Sequence, residues 1–386
     1  MVLVPYIMHY ICFSLFSLIS SQILSSKILV QREKDSLLVS LGNTTYKMYT
    51  DIELVENRTW YSKRMISRAD AYEGKYVGHT QIEIEDVMYK GDILQQDFRI
   101  DSKNNSDIRV KINYVYIDHE FLNSMDRFSF AYQIEEEFSV VHQLYNNKYI
   151  AQRAFGFSLN ETGRELLLHY GGLPKEVTQN KKKFSCKVNK NYPTWGCNLN
   201  KVSFSDNKYP SYNNKDQYVY FKKNEVGIFA PEAYMNYVKE TALQKYFSSG
   251  VCSYNEERKE MKIVCNCTDI DYFPDIYFSF DNNQILILDH SMIFKRYYRN
   301  YCAFIIQKNY FDKDSDNKWI IGNDFLLQFA ELFDYDNNEI SFYGNHYIIN
   351  SQSTITINVL KVNCFCLITM TLFHLYVTIC YYIFFK

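Results

Sequence analysis

The chain has 386 residues, 47% of them hydrophobic, with 42 Lys and Arg against 44 Asp and Glu and a formal net charge of −2. That balance excludes a basic nucleic-acid binder and a chain governed by an acidic tail. The length holds two or three domain-sized units with a sizeable core. Tyr (35) and Phe (28) outnumber Gly (13) and Pro (6). Aromatic and β-branched side chains pack well on a pleated, half-buried surface, so the composition leans toward strands.

Residues 1–26 are apolar through Tyr10, Ile11, Cys12, Phe13, Leu15 and Phe16, then small at Ser20, Ser21, Ser25 and Ser26, and Lys27 is the first basic residue. This reads as a signal peptide without a positive n-region; an uncleaved anchor helix is the alternative. Leu37–Leu41 is a β-rich run ending at Gly42. Thr80–Val87 alternates, with Ile82 and Ile84 against Gln81, Glu83 and Glu85, the period of a half-buried strand. Phe138–Tyr145 carries apolar residues at helical spacing. Glu165–Tyr170 predicts a strand stopped by Gly171–Gly172.

Lys181–Lys182–Lys183 reads as a solvated loop. Val202, Tyr218–Phe221, Ile276–Phe280 and Ile285–Leu288 continue the strand pattern, and Pro231–Val238 opens with a proline suited to a first helical turn. Asp312, Asp314 and Asp316 mimic the start of a calcium loop, but Asn317 replaces the turn glycine and no Glu closes it, so an exposed turn is expected. Asn363–Phe385 contains no charged residue and is long enough to cross a bilayer as a helix, with Lys386 after it. A lipid-anchor signal with Ser351 or Ser353 as attachment residue is the other membrane reading.

Between the apolar ends lie Cys186, Cys197, Cys252, Cys265, Cys267 and Cys302, an even set that suits disulfides in an oxidising compartment. No C-x-x-C or His pair accompanies Cys265 and Cys267, so neither zinc nor any cofactor is expected. Cys186–Cys197 would close a short hairpin-like loop. Five sequons, at Asn43, Asn57, Asn104, Asn160 and Asn266, fit an extracellular glycoprotein.

Trp319-Ile320-Ile321-Gly322-Asn323-Asp324-Phe325-Leu326, followed by Phe333-Asp334-Tyr335-Asp336-Asn337-Asn338-Glu339-Ile340-Ser341-Phe342, is the most specific stretch of the chain. It resembles the final segment of the pepsin-like aspartic peptidases. Phe138–Leu144 with Phe155–Asn160, Leu166–Gly172, and Cys267 through Phe273-Pro274-Asp275-Ile276-Tyr277-Phe278 are similar to other family segments, in family order. The resemblance covers roughly residues 36–345. It implies an all-β fold of two lobes, residues 27–172 and 173–350, with few short helices, a linker over 351–362 and a membrane segment over 363–386. It also implies Cys267–Cys302, which leaves Cys252 for Cys265. Spacing alone leaves the choice between Cys265 and Cys267 open.

The family's reaction needs one D-T/S-G loop per lobe. The two carboxylates share a proton because like charges that close cannot both ionise, and the pair activates a water. No D-T-G or D-S-G occurs in this chain. Aligned on Gly42 and Trp60, the first motif falls on Glu53-Leu54-Val55. Aligned on Gly227–Pro231, the second falls on Lys222-Lys223-Asn224; a slipped alignment, with Lys222 a solvated strand-end lysine, is the alternative. The apolar-apolar-Gly of the first lobe has Ser129 in place of glycine. Tyr72, near Gly74, is the candidate flap tyrosine.

The resemblance therefore implies an inactive, monomeric homologue in which Glu53 and Lys222 face each other as an ion pair across a cleft that holds a peptide or protein. An active peptidase with an altered dyad, and a receptor-like surface glycoprotein, are the competing readings.

Overall fold

The structure, a computed structural model, describes residues 24–350 except 32–33, 42–46, 55–57, 63–70, 72–73, 85–86, 101–107, 119–126, 161–165, 206–207, 214–215, 224, 258–259, 271–272, 282–283, 310–316 and 345–347. The first half of the chain forms β1 (Leu24–Gln31), β2 (Lys34–Leu41), β3 (Lys47–Glu53), β4 (Trp60–Ser62) and β5 (Lys75–Ile84). It continues with β6 (Val87–Ile100), β7 (Ile108–Ile117), β8 (Arg127–Ser129), β9 (Ala154–Leu159) and β10 (Leu166–Tyr170).

The second half supplies β11 (Lys182–Lys187), β12 (Gly196–Phe204), β13 (Gln217–Lys222), β14 (Ile228–Ala230), β15 (Cys252–Glu257), β16 (Glu260–Asn266), β17 (Ile276–Phe280) and β18 (Gln284–Leu288). It ends with β19 (Phe294–Tyr298), β20 (Tyr301–Phe304), β21 (Ile306–Lys308), β22 (Lys318–Gly322), β23 (Ala330–Asp334), β24 (Glu339–Gly344) and β25 (Ile348–Asn350). The helices are short; the longest among the described residues is Glu232–Glu240, entered through Pro231.

The largest sheet runs β11-β24-β23-β9-β10-β1-β2-β3-β8-β4-β7-β6-β5 and so draws strands from both halves. Its centre is antiparallel: β9 pairs with β10 on one edge and with β23 on the other. Aromatic packing seals this junction. Phe155 stacks on Phe333 at 4.9 Å, and Trp195 lies 4.8 Å from the Tyr335 ring. The indole of Trp195 and the hydroxyl of Tyr335, carried into it, find partners, as most buried polar groups do. Trp195 Nε1 donates to the Phe130 carbonyl at 2.7 Å, and the Tyr335 hydroxyl donates to the Ala131 carbonyl at 3.1 Å.

Several local expectations are refined. β1 begins at Leu24, inside the segment 1–26, and lies against β10 with Leu24 opposite Tyr170. The alternating run Thr80–Val87 is two strands, because Ile84 pairs with Val87 and the chain reverses between them. Lys182 and Lys183 are not in a loop: they open β11, the edge strand of the largest sheet, where Lys183 meets Glu339 at 2.8 Å. An exposed edge accommodates lysines because their charged ends stay in water.

The disulfides are Cys186–Cys197, Cys252–Cys265 and Cys267–Cys302, with Cα atoms 6.0, 4.0 and 5.3 Å apart. Asn43, Asn57, Asn104, Tyr72, Ser351, Ser353, the acidic run from Asp312 to Asp316, and residues 351–386 lie outside the described residues. Among the described residues no helix is long and apolar enough to cross a membrane.

Candidate functional site

Two strand triplets of the same design stand in the two halves. In the first, β3 runs parallel to β8 with Glu53 opposite Ser129, and β4 is antiparallel to β8. In the second, β13 runs parallel to β22 with Lys222 opposite Gly322, and β14 is antiparallel to β22. Glu53 and Lys222 thus end equivalent strands at equivalent register. Glu53 has a side chain outside the described set, so its place is known from the backbone alone.

The two triplets are closed differently. Behind Lys222 the chain presses so near Gly322 that a Cβ there would come within 2.6 Å of the carbonyl oxygens of Glu225 and Gly227. The Gly322 N–H donates to the Gly227 carbonyl at 2.8 Å, and Gly227 itself turns with φ +96°. In the first half the equivalent Ser129 is buried. Its N–H donates to Thr59 Oγ1 at 3.1 Å, and its own Oγ accepts from the Ala131 N–H at 3.2 Å. A hydroxyl that satisfies backbone groups explains why a serine stands there without breaking the strand.

The charges on the Lys222 side are bound up locally. Lys222 Nζ lies 3.1 Å from Glu225 Oε1. Lys223, the next residue, turns inward: its Nζ reaches Glu331 Oε1 at 2.7 Å with side-chain exposures of 0% and 1%. The same ammonium lies 4.5 Å from the Phe157 ring centre. Glu331 is on β23, opposite Phe157 of β9. Lys223 therefore ties the end of β13 into the sheet shared by both halves. The sequence carried one hint of it: a glutamate between Ala330 and Leu332 in an apolar strand demands a cation.

A family model described as eukaryotic aspartyl protease matches residues 128–344, more than half of the chain. The chain belongs to the eukaryotic aspartyl protease family. No curated protein matches it. The match contains Lys222, Lys223, Gly322 and Glu331, and begins after Glu53, which stands at the equivalent strand register in the first half. It is narrower at its start than the resemblance over residues 36–345. Membership of the eukaryotic aspartyl proteases and three disulfides mark the protein as secreted or luminal.

Other candidate positions lie elsewhere. The β5–β6 hairpin turns between Ile84 and Val87. A cavity of about 610 Å³ opens on this hairpin and β7, lined by His79, Lys90, Asp92, Tyr116 and Asp118 among others. His79 Nδ1 lies 2.6 Å from Asp92 Oδ1 there. Asp275, Asp289 and His290 gather their ligand-type atoms closely enough for a metal ion. Their oxygens already serve a helix start, since Asp289 Oδ1 accepts from the Ser291 N–H at 2.9 Å and Asp275 Oδ1 from the His290 N–H at 2.8 Å. Of the sequon asparagines, Asn160 directly follows β9 and Asn266 caps a short turn.

Proposed function

We propose that this eukaryotic aspartyl protease homologue does not hydrolyse peptides and uses the region between its halves to hold a peptide or protein segment. The observation that carries the reading is Lys222. It occupies the strand end that pairs with Gly322, where the family chemistry needs a carboxylate, and its ammonium is engaged by Glu225 at 3.1 Å. An ammonium has no lone pair with which to take a proton from water. With no D-T-G or D-S-G in the chain, a proton-sharing carboxylate pair is not available in its usual form.

Residues 363–386 would attach the protein to a membrane from the luminal or extracellular side, and the sequons would carry glycans on the outer face. Detergent-solubilised full-length protein, assayed on an unfolded protein substrate from pH 3 to 8, should show no cleavage. A transition-state inhibitor of the family serves as control. Inhibitor-sensitive cleavage at any pH would overturn the reading. Peptide-library capture that weakens when residues beside Lys222 are enlarged would support it.

A further inference from the structure

Residues 290–311 contain no Asp or Glu but four cations, Lys295, Arg296, Arg299 and Lys308. Three of these sit on the β19–β20 hairpin, with Tyr297, Tyr298 and Tyr301 exposed by 43%, 58% and 50%. In a domain that buries most of its aromatic rings, three exposed tyrosines on one tip call for a partner.

The tip is held rigidly. Phe294 and Phe304 pair at its base, 5.5 Å apart, and Phe294 also meets Phe273 at 5.5 Å. Cys302 is tied to Cys267, and the Cys267 N–H donates to the Asn300 carbonyl at 2.7 Å. Arg299 adopts φ +50° at the turn, and its guanidinium lies 5.0 Å from the Tyr298 ring centre. Arg296 Nε donates to the Arg299 carbonyl at 3.3 Å. Two guanidinium groups are thereby gathered at a single turn beside flat phenol rings.

From this we infer that the β19–β20 tip binds a sulfated polysaccharide. A guanidinium offers paired N–H donors that match two oxygens of a sulfate, and charge-assisted bonds of this kind are the strong ones. Tyrosine rings give a sugar ring a flat apolar face at low entropic cost while keeping the hydroxyl in water. The three disulfides set the domain in an oxidising compartment, away from nucleic acid and from the anionic cytosolic leaflet. An exposed hairpin suits an extended polyanion, and the backbone bonds that fix the turn reduce the ordering cost of binding.

The test uses the full-length protein in detergent, enzymatically deglycosylated so that a glycan on Asn266, the register partner of Tyr301, cannot mask the tip. The probes are heparin, desulfated heparin, and vesicles containing phosphatidylserine. Heparin should bind and release with rising salt, and desulfated heparin should not bind. The pair R296A/R299A should weaken binding about tenfold or more, as loss of two charge-assisted contacts requires.

R296K/R299K should give an intermediate loss, since charge remains but the fork does not. K181A/K182A, which removes equal charge from the β11 edge, should change affinity less than about twofold. Equal losses in the arginine and lysine variants, unchanged binding in R296A/R299A, equal binding of desulfated heparin, or binding to vesicles without binding to heparin would each overturn the assignment.

Discussion

Lys223 and Glu331 form an ion pair at 2.7 Å with neither side chain exposed, joining the end of β13 to the strand that lies against β9. Such a pair costs several kcal/mol to desolvate, so its net stabilising effect is small, but removing one member strands the other charge. Lys223→Met should destabilise the fold by about 3–5 kcal/mol. The double variant Lys223→Met with Glu331→Leu should recover much of that loss, and a urea-denaturation cycle over the four proteins measures it. Additive losses would show that the two charges are not coupled.

Restoring carboxylates should not restore chemistry. Glu53→Asp with Lys222→Asp places two aspartates at the ends of β3 and β13, yet Leu54 is buried beside the first and Lys223 remains anchored to Glu331 beside the second. The expected outcome is no inhibitor-sensitive cleavage from pH 3 to 8. Turnover in this double variant would mean that the loops are already shaped for catalysis.

Acid should weaken the fold. His169 is buried, its Nε2 2.8 Å from Ser158 Oγ, and burial lowers its pKa to about 4. The unfolded chain therefore takes up the proton first. Stability present above the ordinary value near 6.5 is lost as pH falls toward 4, by about 3 kcal/mol for a shift of this size. Burial lowers His142 in the same direction. The melting temperature should fall between pH 7 and pH 4.5, and His169→Gln should flatten that slope. An unchanged slope in the variant would remove His169 from the account.

Gly322 should not tolerate a side chain. An added Cβ would meet two carbonyl oxygens at 2.6 Å, and backbone cannot give way as a flexible side chain does. Gly322→Ala should cost about 1–3 kcal/mol. Ser129→Gly, at the equivalent position of the first half, should cost only the Ala131 contact, about 1 kcal/mol. Thermal denaturation of the two variants orders them, and equal losses would contradict the asymmetry.

Much of the architecture was legible because the signals were local. The D-Y-D-N-N run makes the turn between Asp334 and Glu339, and the Trp319–Gly322 run makes β22, as their residue types dictate. The cysteine choice was legible only through the family resemblance, which implied the bridges that form, and spacing left it open for a geometric reason. Cys265 stands opposite both Cys252 and Cys302 in adjacent ladders, so only the exact strand register assigns Cys302 to Cys267. The Lys181–Lys183 run reads as a loop because the start of this edge strand is exposed, while Phe184 and Cys186 after it are buried. Lys223 shows nothing locally because its partner is distant in sequence, and the one hint lies at Glu331, a charge within an apolar strand. Glu53 and Lys222 are reached by alignment on Gly42, Trp60 and Gly227–Pro231, and strand register sets both at the ends of equivalent strands.

The shared sheet also sets a timetable for synthesis. β9, with Phe155 and Phe157 on it, completes its ladder only when β23 arrives, and β23 is among the last strands translated. At about 5–20 residues per second, that edge waits on the order of ten seconds after it leaves the ribosome. During this interval β9 has β10 on one side only, and its other edge, carrying the aromatic residues, is open to any chain that can add to it. Oxidative folding in the lumen thus has two clocks: the cysteine hairpins close locally and early, while the joint between the halves closes at the end.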